Sequence, residues 1–109
     1  MRYADPHCHT LSSDGMVTPQ QLVDSAVNAG LDVIAVTDHD TMSSVDEARR
    51  RGEAAGVAVI AGEEVTTKWP GQTHMMGWFL QTPVRSGMSL RDTVAAIHDQ
   101  GALAIVPHP

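Results

Sequence analysis

Imidazole and carboxylate groups lie close together near the start of the chain, in the stretch DPHCHTLSSDG. His7 and His9 are two residues apart, so in a strand both side chains project to one face while Cys8 faces the other way. Two imidazoles on one face could chelate a metal ion. Asp14 follows in the loop and adds a carboxylate. The stretch therefore predicts a metal site built from imidazole and carboxylate ligands.

Two further groups of polar residues follow apolar runs that are typical of buried strands. Asp38 and His39 come directly after LDVIAVT, and Glu63 and Glu64 come shortly after VAVIA. Because neighbours in a strand point in opposite directions, only one of the two glutamates can face the site, and the other is expected to be solvated. Asp40 is interpreted as part of a solvated turn that caps the next helix.

Three histidines remain. His74 lies in the extended segment THMMGWFL, and His108 follows the last apolar run, LAIV. Taken alone, each would more often be a surface or core histidine, but both continue a series of candidate ligands placed at strand ends. Active sites of α/β barrels are built at the carboxyl ends of the strands. His98 lies within a predicted helix and is interpreted as structural or exposed.

Ligands of these types suit divalent Mn, Zn or Fe, with Mg a further candidate. The number of candidate ligands exceeds the need of one ion, so the series favours a multinuclear site of two to three ions. A carboxylate such as Glu64 can bridge two ions. Two ions about 3.5–4 Å apart can activate a hydroxide and neutralise a phosphoryl group. An acidic protein could thus attract a phosphate through its metal ions.

The elements that must position these residues alternate between apolar runs and amphipathic segments. Thr18 with Gln21 predicts a capping box at a first helix, Ser44 with Glu47 predicts a second, and Ser89 is expected to begin a third helix. The strand and helix repeats predict right-handed crossovers and a parallel sheet or barrel. A turn is expected at residues 69–72, where Pro and Gly occur together.

Composition limits the classes of protein that fit. The chain has 109 residues, 42% of them hydrophobic, a formal charge of -6 and a pI of about 5.3, as expected of one soluble globular domain. No apolar run approaches the length of a membrane span. With only seven Lys plus Arg, stable nucleic-acid binding is not expected. A single cysteine excludes an internal disulfide, and together with the absence of a signal-peptide pattern it favours the cytoplasm.

The ordered set of motifs resembles the PHP domain, the polymerase and histidinol phosphatase superfamily. The residues that carry the resemblance are HCHTLSSDG at 7–15, TDHDT at 37–41, GEEVTT at 62–67, HMMG at 74–77 and PHP at 107–109. The resemblance implies an α/β fold, the N-terminal portion of a distorted seven-stranded (β/α) TIM-like barrel, with about four parallel strands and intervening helices. Residues 1–109 would be an incomplete PHP domain that lacks the C-terminal strands and a late Asp-x-His motif.

The resemblance also assigns metal ligands. It divides them among three ion positions: His7, His9 and Glu64; Glu64, His74 and His108; and Asp14 with His39. Asp38 would orient His39 or a neighbouring ligand. No catalytic residue beyond the metal ligands is implied.

The function that the resemblance implies is hydrolysis of phosphate esters by a metal-activated hydroxide. The motifs are most similar to stand-alone PHP phosphoesterases, so the expected substrate is a phosphorylated small molecule, a nucleotide or a short oligonucleotide. Lys68, Arg85 and Arg91 are weak candidates for substrate contact and are more often solvated surface residues. Histidinol phosphatase is an alternative, as is a polymerase-associated or non-catalytic metal-binding PHP module.

Overall fold

The computed structural model describes residues 2–68 and 73–108; the expected turn at residues 69–72 and the final Pro109 lie outside them. Within these ranges there are five strands and three helices. Their bounds are β1 Ala4–Cys8, α1 Pro19–Asn28, β2 Val33–Val36, α2 Val45–Ala55, β3 Ala58–Thr66, β4 His74–Trp78, α3 Leu90–Asp99 and β5 Leu103–Ile105. In the described part of the chain, no helix is long and apolar enough to cross a membrane.

The strands form one mixed sheet in the order β1-β2-β3-β4-β5. The pairs β1–β2 and β2–β3 are parallel, whereas β4 is antiparallel to both β3 and β5. Four strands therefore share one direction, and the predicted fold class, a partial TIM-like barrel of α/β type, is confirmed.

The direction of β4 follows from the length of its connection to β3. Only residues 67–73 separate the two strands, whereas a parallel crossover needs about a dozen residues or more. The sequence predicts this segment only as extended. The number of connecting residues also predicts that this segment runs antiparallel to β3.

Two apolar cores hold the helices onto the sheet. In the first core α1 and α2 cover β1, β2 and β3; its fully buried members include Val23, Ala26, Ile34 and Val36. The second core joins α3 to β3 and β4 and includes Val65, Met75 and Ile97. Both faces of β3 are buried along most of its length, because it lies at the centre of the sheet.

The helix starts follow the sequence at two of three positions. Thr18 and Gln21 form the predicted capping box of α1, and the Ser89 side chain accepts a hydrogen bond from the Asp92 backbone N–H at the start of α3. The capping box predicted at Ser44 is wrong, since the Ser44 side chain makes no capping hydrogen bond. Its hydroxyl contacts the side chains of two residues in the loop after β1 instead.

Candidate metal centre

The predicted ligands meet at one edge of the sheet, where β1, β2 and β3 end. His7 lies in β1, His39 follows β2, and Glu64 lies near the end of β3. His74 is the first residue of β4, and because β4 is antiparallel, its amino end lies beside the carboxyl end of β3. His108 follows β5, which runs in the same direction as β3.

The end of β1 departs from regular pairing at the site. Between Asp5 and Cys8 the register against β2 shifts, so that β1 carries one more residue than its partner. Bulges of this kind re-aim side chains and are common beside active sites. His7 lies in the irregular part, and its Nε2 is 3.1 Å from the Nε2 of His9. The two imidazoles therefore share one side, as the sequence predicts.

Cys8 points away from these imidazoles into the first core. Burial, together with the charge of Asp5, raises the pKa of the Cys8 thiol to about 12. The thiol stays protonated near neutral pH, whereas a metal ligand must be a thiolate. The candidate ligands of the site are therefore imidazole and carboxylate groups.

Glu64 is the centre of the site and is only 1% exposed. Its Oε1 lies 2.8 Å from the Nε2 atoms of both His7 and His9. Its Oε2 lies 3.1 Å from Nδ1 of His74 and 3.2 Å from Nε2 of His108. One buried carboxylate thus contacts four imidazoles, two at each oxygen.

The protonation of Glu64 depends on competing effects. Burial disfavours the charged carboxylate, but the hydrogen bond from His7 and the charges of His39, His7 and His9 outweigh it and hold the pKa of Glu64 below its usual value. Glu64 is therefore an anionic oxygen donor near neutral pH.

Asp14 joins two imidazoles at the open side of the site. Its Oδ1 lies 2.5 Å from Nδ1 of His9, and its Oδ2 lies 3.3 Å from Nε2 of His39. The hydrogen bond to His9 holds the pKa of Asp14 below its usual value. When Nδ1–H of His9 donates to Asp14, Nε2 keeps its lone pair, which is the form of imidazole that binds a metal.

The spacing of these atoms fits divalent metal ions. The Nε2 atoms of His7 and His9 each lie 2.8 Å from Oε1 of Glu64 and 3.1 Å from each other. This spacing leaves little room for a proton on both nitrogens. Atoms about 2.1 Å from a common ion lie about 3.0–3.4 Å apart. Three groups in the described ranges have ligand atoms within 4.8 Å of one another: His7, His9 and Glu64; His9, Asp14 and His39; His39, Glu64 and His74.

Shared members connect these groups. His9, Glu64 and His39 each belong to two of them, and the Nε2 of His39 is 3.8 Å from Oε1 of Glu64. The structure thus brings together all seven residues that the sequence nominates as ligands. Neighbouring groups with common members could hold ions side by side.

Asp38 supports the loop between two of these ligands. It is fully buried and accepts hydrogen bonds from the backbone N–H and the hydroxyl of Thr10, at 2.6 and 2.7 Å, and from the Ser13 hydroxyl at 2.6 Å. These donors belong to the loop that joins His9 to Asp14. The hydrogen bonds of Asp38 thus reach this loop rather than the ring of His39.

One expectation for the neighbouring acidic residues is wrong, and a second is wrong in part. Glu63 is fully buried instead of solvated, because the segment after β4 covers that face, and its Oε1 accepts a hydrogen bond from the Val84 N–H at 2.7 Å. Burial raises the pKa of Glu63 to about 7. Asp40 lies exposed in a turn, as the sequence predicts, but it does not cap α2; its carboxylate accepts hydrogen bonds from the backbone N–H and the hydroxyl of Thr66 at 2.7 and 2.6 Å. Both side chains tie a neighbouring segment to β3.

Residues outside the ligand set lie at the surface. His98 is exposed on α3, as the sequence predicts. Lys68, Arg85 and Arg91, the weak candidates for substrate contact, are also exposed. The sequence does not nominate Thr10, and it predicts only a helix cap for Ser44. Both residues are buried beside the site, and the hydroxyl-rich runs HTLSS and TMSS are the signal that could have indicated them.

The fold and the site together define a protein of the α/β barrel class, with a candidate metal centre of imidazole and carboxylate donors at the carboxyl edge of the sheet. The chain belongs to the PHP domain family, whose model matches residues 5–104.

Two curated relatives act on nucleotide phosphates according to their names. A 5'-3' exoribonuclease from Haemophilus influenzae is 40% identical over 67% of this chain, and the match covers 27% of the exoribonuclease. A 3',5'-nucleoside bisphosphate phosphatase from Chromobacterium violaceum is 33% identical over 71% of this chain and 27% of its own length. The chain thus matches about a quarter of the length of each relative.

One solved structure resembles the chain along most of its length. It is a two-domain protein from Bacteroides vulgatus, described as containing a PHP-like metal-dependent phosphoesterase. The TM-score is 0.81 at 30% sequence identity, and the match covers 93% of this chain and 33% of the other.

Proposed function

We propose that the protein is a metal-dependent phosphoesterase that acts on nucleotides or short oligonucleotides. The observation that carries the proposal is the surrounding of Glu64, a buried carboxylate with two imidazole nitrogens at each oxygen. Such a group is a donor to two neighbouring ions, and two-ion sites are common in phosphoryl hydrolysis.

The chain's own residues would divide the work of holding the ions. His7, His9 and Glu64 would hold one, Glu64 with His74 and His108 a second, and Asp14 with His39 a third. When bound, such ions supply an activated water and positive charge for the phosphoryl oxygens. We expect Mn, Zn or Fe, with Mg a further candidate, because these ions accept imidazole and carboxylate donors.

Access to the site supports a substrate that approaches from solvent. The side chains of Asp14 and His108 are 65% and 49% exposed, whereas Glu64 beneath them is buried. The open side is therefore lined by ligands, and a phosphate could reach it although the chain is acidic overall. The names of the two relatives favour nucleotide phosphates within the wider class of phosphate esters.

The test is hydrolysis by the full-length protein, freed of metal and then loaded separately with Mn, Zn, Fe or Mg. Nucleoside 3',5'-bisphosphates and short 5'-phosphorylated RNA are compared with histidinol phosphate as substrates. We expect metal-dependent phosphate or nucleotide release from the first two, strongly reduced in His7→Ala and unchanged in His98→Ala, the exposed histidine of α3. Hydrolysis that needs no metal, or a preference for histidinol phosphate, would contradict the proposal.

We also propose a cytoplasmic location. The support is the single cysteine, whose thiol is buried in the first core and has no second cysteine in the chain with which to form a disulfide. Fractionation of the native host cells, probed with an antibody to the protein, tests this location; recovery in an extracellular fraction would contradict it.

A further inference from the structure

A chain of hydroxyl groups connects the two loops that carry Asp14 and His39. Its members, in the order of their hydrogen bonds, are Thr41, Ser43, Ser12, Ser44 and Thr10. Successive oxygens are 3.1, 3.1, 2.5 and 2.8 Å apart. The chain ends at Oδ2 of Asp38, 2.7 Å from the Thr10 hydroxyl. It thus links the loop after β1 to the segment between β2 and α2.

Each hydroxyl has one proton, and this fixes the direction of the chain. Thr10 gives its proton to Asp38, so it must accept from Ser44. Ser44 must in turn accept from Ser12, which leaves Ser12 to accept from Ser43. All the donors therefore point toward one carboxylate. Hydrogen bonds aligned in this way strengthen one another.

Ser44 is the buried link of this chain. Its residue is 2% exposed, and Thr10 and Asp38 are fully buried, whereas Ser12 and Ser43 are exposed. The position of Ser44 at the start of α2 does not use its hydroxyl, since the side chain makes no capping hydrogen bond. The hydroxyl of Ser44 instead contacts the hydroxyls of Thr10 and Ser12 in the loop after β1.

That loop sets the position of Asp14. The Thr10 carbonyl accepts hydrogen bonds from the N–H groups of Ser13 and Gly15, at 3.1 and 2.9 Å, so the loop folds back on itself around Asp14. A Cβ atom at Gly15 would collide with the His9 backbone. The Asp14 side chain is 65% exposed and is therefore not held by packing. Its approach to His9 and His39 depends on the loop beneath it.

We propose that Ser44 is a positioning residue for Asp14, which it holds in place through Thr10, Ser12 and the loop that they belong to. The inference rests on the proposed function, because it assigns Ser44 to the ion position formed by Asp14 and His39. Loss of such outer hydrogen bonds typically lowers metal affinity about 10–100-fold. The effect is expected to be larger at this ion position than at the one formed by His7, His9 and Glu64, which Asp14 influences only through its hydrogen bond to His9.

The test is calorimetric titration of the metal-free full-length protein with Mn²⁺ alone, without substrate. The variants are Ser44→Ala, Ser44→Thr, which keeps the hydroxyl, and Thr10→Val, which removes the neighbouring hydroxyl at nearly constant volume. Ser25→Ala, an exposed serine of α1, is the matched control. Thermal unfolding of each metal-free variant is measured in parallel to separate a loss of folding from a loss of affinity.

We expect Ser44→Ala to weaken one class of Mn²⁺ sites about tenfold and to weaken the other class less, with Ser44→Thr closer to the wild type. Ser44→Ala and Thr10→Val should be non-additive in combination, because both interrupt one chain of hydroxyls. Unchanged affinities for Mn²⁺ would overturn the inference. So would an equal loss of affinity at all sites that parallels a drop in the melting temperature of the variant. Failure of the wild type to hydrolyse phosphate esters would overturn only the proposed function, since this titration involves no turnover.

Discussion

Glu64 and Glu63 are neighbours with opposite surroundings, and this makes them a matched pair for mutation. Glu64 contacts four imidazoles, whereas Glu63 faces the segment after β4 and accepts a hydrogen bond from the Val84 N–H. A glutamine at either position keeps the size of the side chain and removes its charge. Comparing the two variants therefore distinguishes the effect of a lost charge at the metal centre from the effect of a lost charge in the core.

We expect Glu64→Gln to lower affinity for divalent metal at least about 100-fold, because loss of an outer partner alone costs 10–100-fold. Glu63→Gln should bind metal as the wild type does, since the amide oxygen can still accept from Val84. Metal content after equilibrium dialysis, measured by mass spectrometry, checks both. Equal metal content in the two variants would show that Glu64 is not a ligand.

Alternation along β3 predicts that one glutamate faces the site, and it cannot predict what covers the other. Solvent exposure was the expectation for Glu63, yet the chain after β4 returns along β3 and buries it. That return is a tertiary contact between residues 21 positions apart. The local sequence GEEVTT does not predict this contact.

At the scale of the helices, two N-terminal residues of similar type have different roles. Thr18 closes a capping box with Gln21, whereas Ser44 contacts the loop after β1. The sequence predicts a capping box at both, because the spacing of the residues is the same. The competing partners of Ser44, Thr10 and Ser12, are more than 30 residues away and become neighbours only when β1 and β2 pair.

Thr18→Ala is expected to lower the free energy of unfolding by about 1 kcal/mol, since the backbone N–H of Gln21 loses its acceptor. Metal affinity should stay at the wild-type value, because Thr18 lies outside the hydroxyl chain that ends at Asp38. Urea unfolding and Mn²⁺ titration of the same variant check the two parts. A loss of affinity without a loss of stability would mean that α1 also positions the ligands.

At the scale of the whole molecule, the site joins all the strands. Ligands come from or directly follow β1, β2, β3, β4 and β5, so an ion bound between them would also connect both cores. The order of the motifs along the chain is enough to predict this convergence, since carboxyl ends of parallel strands meet at one edge. Because β4 is antiparallel to β3, the first residue of β4, His74, lies at the edge where the parallel strands end.

Metal removal should therefore lower the stability of the protein as well as its activity. A ligand present at 100 times its Kd stabilises the folded state by about 2.7 kcal/mol. For a chain of about this size, this corresponds to a shift in Tm of about 11–22 °C. Differential scanning fluorimetry of the full-length protein with and without a chelator measures the shift. It should reverse when Mn²⁺ is added back, and the same Tm in both conditions would argue against a bound ion.

The proposed function requires that ions held around Glu64 carry the phosphoesterase activity. The most direct measurement is the rate of nucleoside 3',5'-bisphosphate hydrolysis by the metal-free full-length protein as Mn²⁺ is added in counted equivalents per chain. We predict that the rate rises from near zero, levels off after two to three equivalents, and does not rise in Glu64→Gln. A rate that is independent of added metal, or equal in the wild type and Glu64→Gln, would contradict the account.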